Sequence, residues 1–156
     1  MTIELTILGC GSSAGVPAVG NDWGQCDPNE PKNKRMRPSI ALSTERTSIV
    51  VDTGPDFALQ YNSAGISSLD AVLYTHGHAD HINGIDELRV LVKEQDITTL
   101  PVYSTQATLD ELATRFDYMF TSKNELYPQV LTPHSLDAEL CKPIKIGDII
   151  LTAFAQ

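Results

Sequence analysis

The chain has 156 residues, 42% of them apolar and 20% charged, with a net charge of −9 at pH 7. Such a length is one domain, able to bury roughly 70% of the surface its unfolded form would expose. The acidic balance argues against non-specific binding to nucleic acid or an anionic membrane, and no apolar run approaches the ~18 residues of a membrane span.

The N-terminus lacks the basic and apolar regions of a secretion signal. Three widely spaced cysteines, Cys10, Cys26 and Cys141, read as free thiols of a reducing cytoplasm. Ile3, Leu5 and Ile7 alternate with Thr2, Glu4 and Thr6, the pattern of a half-buried strand. Gly9-Cys10-Gly11-Ser12-Ser13-Ala14 then matches the dinucleotide fingerprint in form. Gly15 and Pro17 interrupt the helix that fingerprint must open, and no βαβ unit follows. A tight loop is the better reading, with Ser12 and Ser13 as hydrogen-bond donors to a substrate.

Residues 20–38 are loop-like and hold a basic cluster, Lys32, Lys34, Arg35 and Arg37. It is either a solvated loop or an electropositive wall for a phosphate-bearing substrate, arginine being suited to bidentate phosphate contact. Ser39–Ser43 and Ser48–Asp52 read as a hairpin. Asp52, ending a buried strand, either orients a metal ligand from behind or caps the turn. Residues 56–64 read as a helix capped by Gly65.

The apolar run from Leu69 to Tyr74 reads as a buried strand, and Ile82, Ile85, Leu88 and Val92 carry a helical period over 82–94. Between them lies Tyr-Thr-His-Gly-His-Ala-Asp-His, with three of the chain's four histidines. Gly77 permits a bend that points His76 and His78 at one place, while Asp80 and His81 offer an oxygen and a nitrogen to a second place close by. Imidazole and carboxylate suit borderline divalent metals such as zinc, manganese or iron. Downstream, Leu100–Ser104 reads as a strand and 108–120 as a helix. The tract 121–140 is weakly patterned, with His134 at the surface. A turn at 145–148 precedes a strand over 149–154 that runs towards Gln156.

The pattern Thr75-His76-x-His78-x-Asp80-His81 resembles the signature of the metallo-β-lactamase superfamily. Gly9 to Pro17, the Asp22-Trp23-Gly24-x-Cys26-Asp27 segment and the strand end Val51 to Pro55 occur with it in order. Together they resemble a branch near the phosphoribosyl cyclic-phosphate phosphodiesterase and, more distantly, the tRNA 3′-processing endonuclease. The resemblance implies one α/β domain over 1–156, an α/β/β/α sandwich of which the chain supplies roughly the first half. It implies two divalent ions, zinc or manganese, the first on His76 and His78 and the second on Asp80 and His81.

The activity implied is hydrolysis, foremost of a small phosphate ester by a phosphodiesterase in which Asp80 positions water activated by the two metals. A thioester or lactone hydrolase on the same scaffold is the alternative, and an inactive binding module is a third reading. Only Cys26, between Asp22 and Asp27, stands where the phosphodiesterase carries several cysteines, so no structural zinc is expected. The resemblance places a third histidine, a bridging aspartate and a last histidine beyond Gln156. The 156 residues alone are therefore expected to hold metal weakly, and to pair with the missing half or with a second copy.

Overall fold

The computed structural model describes residues 2–137 and 141–154. Its main sheet has six strands in sequence order: β1 (Glu4–Gly9), β2 (Ser39–Ser43), β3 (Ser48–Val51), β4 (Ala71–Leu73), β5 (Leu100–Ser104) and β6 (Leu131–Ser135). β1, β2 and β3 run antiparallel, whereas β3 to β6 are parallel. Parallel neighbours need crossovers. These are α1 (Phe57–Ala64), then α2 (Ala79–Ile82) with α3 (Leu88–Glu94), then α4 (Gln106–Arg115) with α5 (Asp117–Phe120).

All the crossovers cover one face. Val50, Val72 and Val102 point from the strand centres into a core with Phe57, Ile82, Ile85, Leu88, Leu112 and Met119, each 1% exposed or less. The opposite face meets a second sheet, the hairpin of β7 (Pro143–Ile146) and β8 (Ile149–Thr152). Ile49 and Ala71 pack there on Ile146 and Ile149. Because successive side chains of a strand point to opposite faces, β4 buries Ala71 against the hairpin and Val72 against the helices. The layers are thus helix, sheet, sheet. No helix among the described residues is long and apolar enough to cross a membrane.

Several elements depart from the sequence expectation. The helix anticipated over 82–94 begins earlier and is divided into α2, a 3-10 turn at Ile85–Glu87 and α3. The division follows from Gly84, whose N–H donates to the Thr53 carbonyl at 2.8 Å and leaves the helical ladder. The helix expected over 108–120 is interrupted at Phe116, which has φ −130° and ψ 47°. Strand β6 occupies part of the tract that looked unpatterned, and β7 takes in half of the anticipated turn at 145–148. On β1 the alternation is present, but Ile3, Leu5 and Ile7 are 44%, 57% and 65% exposed. They share the hairpin side of the sheet, Leu5 standing opposite Leu42, at an edge the hairpin does not cover. Residues 138–140 of the weakly patterned tract, and Ala155 and Gln156 beyond β8, lie outside the described residues.

Candidate metal centre

Strands β3 and β4 are parallel neighbours, so their carboxyl ends deliver Asp52 and Thr75 side by side, where open α/β sheets place their ligands. Asp52 has a left-handed backbone, φ 63°, which aspartate tolerates better than most residues. That bend turns its buried carboxylate under the histidine loop. One oxygen, Oδ1, accepts the Thr75 N–H at 2.8 Å. The other, Oδ2, accepts from the Thr75 hydroxyl at 2.7 Å and from His81 Nδ1 at 2.7 Å. Asp52 therefore holds an imidazole, and its carboxylate binds Thr75 and His81 rather than capping its own turn, the other role that spacing alone left open.

The loop is fixed by backbone contact as well. A Cβ on Gly54 would run into the Asp80 carbonyl, and one on Gly84 into the Gly54 carbonyl, so the 52–54 turn and α2 sit flush against each other. Beneath them Tyr74 is buried, its hydroxyl 2.7 Å from Thr53 Oγ1. Burial pushes its phenol well above the usual range. The Thr53 hydrogen bond opposes that shift and the Asp52 charge adds to it, so Tyr74 stays neutral beside the site.

The histidine rings gather above this base. The His76 centroid is 4.5 Å from that of His78 and 4.1 Å from that of His81. Asp80 Oδ2 lies 3.3 Å from His81 Nε2. With Nδ1 engaged by Asp52, His81 turns Nε2 towards the Asp80 carboxylate, so a nitrogen and an oxygen donor face each other across the site. This donor set fits a borderline divalent metal. Among the described residues no group of three or more His, Cys, Asp or Glu side chains is arranged to hold one ion. His76 is the ring common to both contacts, and it stands nearer His81 than His78.

The other residues singled out in the sequence are spread around this centre. Arg37 is engaged: its Nη1 donates to both carboxylate oxygens of Asp56, at 3.0 and 3.1 Å, and its Nε donates to the Ser13 carbonyl at 2.9 Å. It ties the glycine-rich loop to the start of α1, and its Cβ is 3.9 Å from where a Gly54 Cβ would be. Arg35 Nη1 reaches Cys10 Sγ at 3.6 Å. Ser12, Ser13, Lys34 and Arg35 are exposed. Cys26 is a free thiol, while Asp22 and Asp27 accept turn hydrogen bonds from the N–H groups of Gly24 and Asn29. His134 is exposed and stacks on Tyr103 with ring centroids 4.8 Å apart.

Arg115 was not legible beforehand. Its guanidinium donates to the Gly77 carbonyl at 2.7 Å and to Asn83 Oδ1 at 3.3 Å, clasping both ends of the histidine loop from α4. Its pairing with Glu111 at i, i+4 is ordinary for a helix surface, so the local sequence holds no sign of the longer reach.

Comparison with known proteins identifies the family and the fold. The family model described as a beta-lactamase superfamily domain matches residues 47–156. A solved diphosphatase from the PhnP family superposes with a TM-score of 0.77 at 32% identity, over 94% of this chain and 55% of that one. Zinc-bound PqqB from Methylobacterium extorquens shares the fold, with a TM-score of 0.62 at 18% identity over 93% of this chain and 48% of that one. An octanoyltransferase from Porphyromonas gingivalis is 36% identical over 144 residues, 92% of this chain and 28% of the relative. The chain spans about half the length of these solved proteins and a little over a quarter of the transferase. By family match, layer order and histidine loop, the chain belongs to the β-lactamase superfamily and carries the metallo-β-lactamase fold of that superfamily's hydrolases.

Proposed function

We propose that these residues supply the histidine-loop half of a metal-dependent phosphodiesterase acting on a small phosphate ester. The observation that carries this reading is the convergence of His76, His78, Asp80 and His81 on a loop anchored by the Asp52 carboxylate. Likeness to a diphosphatase at 32% identity supports a substrate attacked at phosphorus over one attacked at an acyl carbon.

In this reading His76 and His78 hold one divalent ion, and Asp80 with His81 a second, each zinc or manganese. Such ions supply positive charge that acidifies water and offsets the negative charge growing on phosphorus. The protein's own contribution is placement. Asp52 keeps the Nδ1 proton on His81 and so keeps Nε2 available, the arrangement common behind ligating histidines. Asp80, as the catalytic carboxylate, accepts a hydrogen bond from the attacking water and holds it in line. Since a catalytic zinc normally has three protein ligands, pairs of donors hold metal loosely until the rest of the family site joins them.

The test is a metal titration of the chain with zinc and manganese, alongside turnover of bis-p-nitrophenyl phosphate with and without the C-terminal half of the family fold supplied. Weak binding that His76→Ala or Asp80→Ala lowers by about tenfold or more, without unfolding, is expected, with turnover appearing on complementation. Metal binding indifferent to both substitutions would overturn the assignment.

A second reading has one specific support, the similarity to an octanoyltransferase, which points to acyl chemistry. An octanoyl thioester offered under the same metal decides between them: turnover of the thioester in place of the phosphodiester would install the acyl reading.

Among the basic residues, Lys34 and Arg35 are exposed, and neither is in an ion pair among the described residues, whereas Arg37 serves the fold. If they guide an anionic substrate, the double change Lys34→Glu with Arg35→Glu should raise KM roughly fivefold at low salt, as exposed charge interactions allow. The rise should shrink as ionic strength increases. A loss indifferent to salt would place the effect in loop folding.

A further inference from the structure

We infer that Thr75 is a positioning residue for His76, relaying the Asp52 carboxylate to a second imidazole and fixing its tautomer. A threonine hydroxyl has one proton to give and two lone pairs with which to accept. Thr75 gives its proton to Asp52 Oδ2, an acceptor that His81 Nδ1 also uses. The Thr75 oxygen is also 2.9 Å from His76 Nδ1. With the hydroxyl proton committed to the carboxylate, only His76 Nδ1 can be the donor in that contact. Neutral His76 therefore carries its proton on Nδ1 and leaves the Nε2 lone pair free.

One buried carboxylate thus sets two rings alike. It acts on His81 directly and on His76 through one hydroxyl, and the two ring centroids are 4.1 Å apart. The contact from the Thr75 N–H to Asp52 Oδ1 fixes the relay at its start, because backbone and side chain of one residue grip both oxygens of the same carboxylate. The purpose of the relay, presenting Nε2 to a metal, rests on the reading proposed above. The tautomer does not.

The experiment uses that separation. In metal-free protein, nitrogen-15 NMR of the imidazoles should show a proton on Nδ1 of both His76 and His81, with Nε2 of His76 bare. Thr75→Val keeps the side-chain shape and removes the hydroxyl, and Thr75→Ser keeps the hydroxyl. The valine variant should release His76 to a mixture with the Nε2-protonated form while His81 stays as it was, and the serine variant should match the parent. Zinc affinity should fall about tenfold in the valine variant, as for other lost partners behind a ligand, and recover in the serine variant. His76 unchanged in the valine variant, or His81 shifting as far as His76, would overturn the relay. A parent chain that shows the expected tautomers yet takes up no zinc would leave the relay standing and count against the metal reading alone.

Discussion

Gly54→Ala is expected to destabilise the chain by about 3 kcal/mol or more, at the upper end of what an added core carbon costs. The added methyl would be driven into the Asp80 carbonyl oxygen, which is backbone and has no rotamer by which to move aside. Relief would require sliding α2 away from the 52–54 turn, and Gly84, packed on the Gly54 carbonyl and 2.9 Å from Phe57 Cβ as a Cβ would lie, blocks that movement. Gly65→Ala is the control. Gly65 has φ 65° and open space around it, so only the left-handed conformation is at stake, roughly 1–2 kcal/mol. Urea denaturation of both variants checks the ranking. Equal midpoints would mean the turn and the loop are not interlocked.

Asp52→Asn is expected to lower metal affinity by about 10- to 100-fold, the range found when the partner behind a ligating histidine is lost. Asparagine tolerates the left-handed backbone, so the turn keeps its shape and the chemistry alone changes. An amide offers one accepting oxygen where the carboxylate had two, and three donors now compete for it. If the amide nitrogen faces His81, the ring must accept at Nδ1 and carry its proton on Nε2, which closes that nitrogen to metal. Calorimetric titration of zinc into parent and variant measures the effect. Unchanged affinity with an intact fold would reduce Asp52 to holding the Thr75 end of the loop.

The histidine loop was readable because every part of its signal is local: an apolar run, a glycine between two histidines, and a helical period within a few residues. The same holds for Gly65, which sits at φ 65° as the α1 cap, and for β2 and β5 at the bounds that alternation and apolar runs indicate. What escaped depends on neighbours distant in sequence. The break before α3 is made by Gly84 bonding Thr53 across the turn. Strand β6 carries Pro133 and buries little beyond Leu131, and it is a strand because β5 runs parallel beside it. The exposed side of β1 shows the converse case. Its period was visible, but nothing in a period tells whether another layer lies over it.

The hairpin of β7 and β8 rests on a small apolar core, and this sets the order in which the fold can loosen. Its turn is anchored, with the Thr44 hydroxyl on Asp148 Oδ1 at 2.8 Å, the Asp148 N–H on Thr47 Oγ1 at 3.2 Å, and Gly147 packed on the Thr47 side chain. Beyond its other end, Ala153 and Phe154 border a cleft of about 550 Å³ that they share with His76, Thr75 and Ser104. Among the described residues, the core between hairpin and sheet has four buried members, against nineteen on the helix side. Regions with few buried contacts open first in native-state exchange. Native-state hydrogen exchange is therefore expected to reach the amides of β7 and β8 before those of the helix-side core on which the Asp52 network rests.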